Sequence, residues 1–71
     1  MHFRRLKDLR EDHDLTQAQL AKLLGIQQTV YSRYERGFQN LPLEYLLFLA
    51  DFYQVSTDYL LGRTDNPTLL K

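Results

Sequence analysis

The run "GIQQTVYSRYERG", from Gly25 to Gly37, sets amides, hydroxyls, arginines and tyrosines between two glycines. Advancing about 100° per residue, as a helix does, gathers Val30, Tyr31 and Tyr34 on one side and Gln28, Thr29, Ser32, Arg33 and Arg36 on the other. A solvated face of a small protein is usually rich in Lys and Glu, which pair at i,i+4 and favour solubility. The polar side of this stretch has neither. Gln and Arg make paired hydrogen bonds to base edges, Gln to adenine N6/N7 and Arg to guanine O6/N7, and Thr offers a methyl to thymine. An α-helix fits the major groove of B-DNA, and a short helix before it can brace against the phosphates. The implied chemistry is recognition of a DNA duplex; the alternative is a face that is merely hydrated.

Other constellations offer less. His2 and His13 have no HxxxH or HExxH spacing and the chain has no cysteine, so neither a metal site nor a cofactor is expected. His13 is expected at the solvated end of a helix, where a cation suits the dipole. Asp12 and Asp14 read as polar turn residues rather than an acid/base pair, and no glycine-rich phosphate loop or nucleophile elbow exists. An enzyme is not expected from this inventory. Of the five tyrosines, Tyr31, Tyr34 and Tyr53 stand at core spacing, which favours packing over base stacking.

The elements that must carry the polar face follow from punctuation. Phe3, Leu6 and Leu9 recur at helical spacing and Leu15 follows a polar "REDHD" turn, which predicts a first helix over about 3–13. Thr16 with Gln19 three positions on is the capping-box pattern, and Leu20, Leu23 and Leu24 form an apolar stripe that ends at Gly25. A second helix is predicted over about 17–24. Ile26 and Gln27 make a very short link, and nothing breaks a third helix over about 28–36. Asn40 and Pro42 mark the start of a fourth at about 42–53, and Ser56 with Asp58 opens a last short one at about 57–61, closed by Gly62. With no β-branched alternation, the reading is all-α.

The bulk numbers set bounds. At 71 residues the chain is one small domain near the lower limit for a core without staples. Without cysteine, that core comes from the 44% apolar residues, and a reducing, cytoplasmic setting fits. "MHFRRLKDLR" is followed by no apolar run, so neither a secretory signal nor a membrane span is expected and the protein reads as soluble. Formal net charge is zero, which alone argues against a strongly basic nucleic-acid binder. Charge is uneven: residues 1–36 carry seven Lys/Arg against five Asp/Glu, and residues 37–71 carry two against four. One end could therefore face an anion.

"TQAQLAKLLGIQQTVYSRYERG" resembles the helix-turn-helix of the Cro/CI repressor family, the xenobiotic-response-element (XRE) type of bacterial and phage regulators, and "LADFYQVSTDYLLG" is similar to that family's closing segment. The likeness covers about residues 3–63, with Gln17 heading helix two, Ala21 at the helix crossing, Gly25 at the turn, and Ile26, Tyr31 and Tyr34 behind the reading face. It implies a compact five-helix, lambda-repressor-like DNA-binding domain over 1–63 with a tail at 64–71. It implies base reading by Gln27, Gln28, Thr29, Ser32 and Arg33. Gln17 and Arg36 are implied at phosphates, a role that the amides and dipole at a helix N-terminus favour on physical grounds as well. It also suggests that Arg10 and Glu35 form a structural ion pair, since Arg supplies the bidentate contact that such a site needs. Independent solvation of the two is the alternative.

The segment after Gly37, "FQNL", lacks the basic residues that family members often carry there. Fewer phosphate contacts predict weak binding by a monomer with a shallow salt dependence. A homodimer on a two-fold operator, with reading helices ~34 Å apart, would compensate. On helix four, Leu46, Leu49, Ala50 and Tyr53 read as core, joined by Val55 and Leu60, whereas Leu47 and Phe48 fall beside Glu44 and Asp51 toward water. Phe38, Leu41 and Leu43 extend this candidate surface, and the resemblance adds Tyr59 and Leu61 as a dimer or partner contact. Packing of the patch under the tail through Leu69 and Leu70 is the alternative. The expected function is a sequence-specific regulator, a repressor occupying an operator. Since no effector domain follows, control is expected to come from dimerisation, abundance or another protein. The rival is a protein-interaction module of the same fold, such as an antitoxin or anti-repressor.

Overall fold

A computed structural model describes residues 4–68 of the chain. Phe3, the first member of the helix-one pattern, lies outside the described residues, as do His2, Leu69 and Leu70. Five helices follow in order: α1 (Arg4–Asp12), α2 (Gln17–Leu24), α3 (Gln28–Glu35), α4 (Leu43–Tyr53) and α5 (Thr57–Leu60), with no strand among the described residues. The architecture is all-α. The residues group into two compact units, Met1–Asn40 and Leu41–Lys71.

In the first unit α2 and α1 both pack on α3. Leu6, Leu9, Leu20, Ala21, Tyr31 and Tyr34 are buried, so the 3.6-residue pattern is obeyed in each helix. One apolar position departs from it: Leu20, Ala21 and Leu24 face inward, while Leu23 is 47% exposed. Ala21 takes that place because two helices can approach closely only where a side chain is small. Between α1 and α2, Asp14 adopts a left-handed conformation (φ 56°) and the Leu15 amide donates to the Arg10 carbonyl at 3.0 Å, which turns the chain in few residues. The His13 ring nitrogen Nδ1 lies 2.8 Å from the Leu9 carbonyl oxygen, at an exposed helix end.

In the second unit α4 packs on α5, burying Leu46, Leu49, Ala50, Tyr53, Val55 and Leu60. Pro42 stands just before α4 rather than in its first turn. Its ψ of 144° is extended, and its carbonyl accepts from Tyr45 and Leu46 at 3.0 Å, which makes it the cap. Gln54 closes α4 in a left-handed conformation, and Ser56 caps α5 by accepting the Tyr59 amide at 3.0 Å. The Ser56 amide donates to the Pro67 carbonyl at 3.0 Å, which ties the segment after Gly62 back to the start of α5.

Candidate nucleic-acid interface

The two ends of α2 are set locally. Gln19 N–H donates to Thr16 Oγ1 at 3.1 Å and Thr16 N–H donates to Gln19 Oε1 at 2.7 Å, a reciprocal capping box. At the other end Gly25 has φ 73°, its amide donates to the Lys22 carbonyl at 3.2 Å, and the Ile26 amide donates to the Ala21 carbonyl at 2.9 Å. This is a Schellman closure, which needs a residue at ease with positive φ. Gln27 then stands extended (φ −76°, ψ 149°) and its carbonyl accepts from Val30 and Tyr31 at 3.1 Å, starting α3. Only three residues separate the two helices.

Buried Tyr31, Tyr34 and Glu35 anchor α3 from behind. Its opposite side is open: Gln28, Thr29 and Arg33 are exposed and Ser32 is half-buried. These four, with Gln17, Arg36 and Phe38, line a groove of about 550 Å³. Six of the residues singled out in the sequence for DNA contact therefore share one cavity. Gln27 is exposed at the head of α3 and does not line the groove. Phe38 lines it, although the sequence pattern grouped it with the apolar residues of helix four.

Behind the groove lies a polar cluster. Arg10 Nε donates to Glu35 Oε2 at 2.7 Å and Nη2 donates to Oε1 at 3.3 Å, while Nη1 donates to the Leu15 carbonyl at 2.9 Å. The side chains of Arg10 and Glu35 are 13% and 3% exposed. The hydrogen bond to Glu35 is the largest cause that raises the Arg10 pKa above its ordinary value, against an opposing effect of burial. Gln17 Nε2 also donates to Glu35 Oε1 at 3.3 Å. One buried carboxylate thus joins α1, the start of α2 and α3. The link from Gln17 to Glu35 was not read from the sequence, because the two are 18 residues apart and their residue types do not announce the contact.

At the far end of α3 the Arg36 guanidinium carbon sits 4.6 Å from the centroid of the Phe38 ring. In the second unit Leu47 and Phe48 are 53% and 41% exposed, and the Phe48 and Phe52 rings stack at 6.1 Å. Tyr59 and Leu61 are half-buried. Among the described residues no group of three or more His, Asp or Glu side chains could hold a metal ion, and no helix is long and apolar enough to cross a membrane.

A helix, a three-residue turn and a second helix with an open polar face define a helix-turn-helix. The family model described as helix-turn-helix matches residues 6–60. The chain belongs to that family, in its XRE or Cro/CI-like type. It is 46% identical over 94% of its length to the Bacillus subtilis "Uncharacterized HTH-type transcriptional regulator YobD", covering 60% of that protein. It is 40% identical over 87% of its length to the "HTH-type transcriptional regulator ImmR" of the same species, covering 49% of that protein. It is 43% identical over 83% of its length to the "Cryptic phage CTXphi transcriptional repressor RstR" of Vibrio cholerae, covering 53% of that protein. The chain thus spans about half to three fifths of the length of these relatives. No solved structure matches at the significance that they reach.

Proposed function

We propose that this chain is a sequence-specific, double-stranded DNA-binding transcriptional regulator, and within that class a repressor, which lays α3 in the major groove. The observation that carries this reading is the groove in which Gln28, Thr29, Ser32 and Arg33 stand beside Gln17 and Arg36. With eight residues α3 is about 12 Å long at 1.5 Å per residue, close to the major-groove width of about 12 Å. Gln28 and Ser32, and Thr29 and Arg33, are four apart and form two adjacent columns along the helix. Gln27 and Gln28 suit adenine, Arg33 suits guanine, the Thr29 methyl suits thymine, and the Ser32 hydroxyl can donate or accept.

Gln17 and Arg36 take phosphates in this reading. Gln17 heads α2, where unpaired amides and the helix dipole favour an anion. Its side-chain amide has two hydrogens, and the bond to Glu35 uses one. Residues 1–63 make up the DNA-binding domain and 64–71 a tail. Two copies bind a two-fold operator, aided by the exposed Leu47 and Phe48, with the half-buried Tyr59 and Leu61 as further candidate contacts. Occupation of the operator excludes polymerase. The reading involves no cofactor and no catalytic step, and it places the protein in the cytoplasm.

The test is enrichment of bound duplexes from a random-sequence pool. Selection of a two-fold motif is the expected result. Failure to enrich any motif, with no binding even at low salt, would overturn the reading. A second reading, a protein-interaction module that uses the Leu47 and Phe48 surface, is favoured by their exposure and by the stacked Phe48 and Phe52 rings. Its mark is a tight complex with another protein and no motif in the DNA pool.

A further inference from the structure

Resting on that reading, we infer that Phe38 is a positioning residue that holds the Arg36 guanidinium as a preformed clamp for one DNA phosphate. The closure of α3 sets the ring. The Phe38 amide donates to the Arg33 carbonyl at 2.9 Å, the Gly37 amide donates to the Tyr34 carbonyl at 3.2 Å, and Gly37 has φ 78°. This Schellman geometry fixes the direction in which the chain leaves the helix. Phe38 thereby lands in the groove, 67% exposed, with Arg36 4.6 Å from its centroid.

A cation held over a ring face is attracted by the ring quadrupole without engaging a hydrogen-bond acceptor. The contact therefore leaves guanidinium donors for a bidentate contact with phosphate oxygens. Among the described residues no carboxylate pairs with Arg36. The groove lining has two cations, Arg33 and Arg36, so the position of each bears strongly on anion binding. Phe38 also reduces the rotamer freedom that a long exposed arginine would otherwise lose on binding.

The test uses the full chain, a random-sequence duplex and a salt titration, since a phosphate clamp is blind to sequence. Arg36→Ala should lower the slope of log affinity against log salt by ~0.9. Phe38→Leu, which keeps apolar bulk, should weaken binding by about threefold to tenfold, and Phe38→Trp should restore it. The double variant Arg36→Ala/Phe38→Leu should bind as Arg36→Ala alone does, because the ring acts through the arginine. Proton NMR of the unbound protein should show the Arg36 side-chain protons shifted upfield by the ring, and back in Phe38→Leu. Additive losses would make Phe38 a direct DNA contact and overturn the clamp, as would wild-type affinity in Phe38→Leu or absence of the ring shift. If the wild-type chain binds no duplex at all, both the DNA reading and the clamp fall, whereas the preceding outcomes sink the clamp alone.

Discussion

Glu35 receives both Arg10, through Nε at 2.7 Å and Nη2 at 3.3 Å, and Gln17, through Nε2 at 3.3 Å. Glu35 belongs to α3, the helix proposed to read bases, and Gln17 is the proposed phosphate contact. A carboxylate behind the groove thus ties the start of α2 to α3, the two places where the proposal puts the phosphate and base contacts. Arg10 neutralises that carboxylate and leaves it no need of outside partners.

Removal of one partner strands the other charge out of water. Glu35→Ala should therefore destabilise the fold by about 3 kcal/mol, read by urea denaturation. The double replacement Arg10→Met/Glu35→Leu should cost less than Glu35→Ala, since two apolar groups leave no buried charge. An unchanged midpoint in Glu35→Ala would refute the structural role of the pair.

The two ends of α2 test local chemistry. Thr16→Ala removes an acceptor from the Gln19 amide and should cost ~1 kcal/mol. Gly25→Ala should cost about 1–2 kcal/mol. Nothing lies within 4 Å of the added Cβ, so that cost would come from the positive φ alone. Thermal melts of both variants measure it; a neutral Gly25→Ala would mean that the turn relaxes to another conformation.

Base and phosphate contacts leave different signatures. Arg33→Ala should lose ~1–3 kcal/mol at one base position and relax preference there. Gln17→Ala should weaken all sequences alike, and it should also cost ~1 kcal/mol of stability through the bond to Glu35. Binding curves against a panel of single-base operator variants separate the two patterns. Equal loss on every sequence from Arg33→Ala would reassign it to a phosphate.

With few cations in the groove, one copy should bind weakly and with a shallow salt slope, and binding should steepen with protein concentration as pairs assemble. Sedimentation at increasing concentration measures self-association. Leu47→Glu and Phe48→Glu should reduce it with little change in melting temperature, because both side chains are exposed. A wild-type chain that stays monomeric at high concentration and on DNA would remove this surface from the dimer proposal.

The stops and starts of the helices were legible because capping is local. Thr16 with Gln19, Gly25, Ser56 and Gly62 each satisfy or release backbone groups within a few residues, and α2 falls where those residues place it. The open side of α3 was legible too, since its period follows from 3.6 residues per turn. The apolar stripe included Leu23, which the structure leaves exposed: periodicity alone does not say where a partner helix lies, and it was the resemblance that put small Ala21 at the crossing. The place of Phe38 depended on the direction in which Gly37 sends the chain, which an apolar residue type cannot announce. The resemblance suggested the Arg10–Glu35 pair, which the structure contains, but the arrival of Gln17 at the same carboxylate was decided by packing, since it depends on the distances set among three helices.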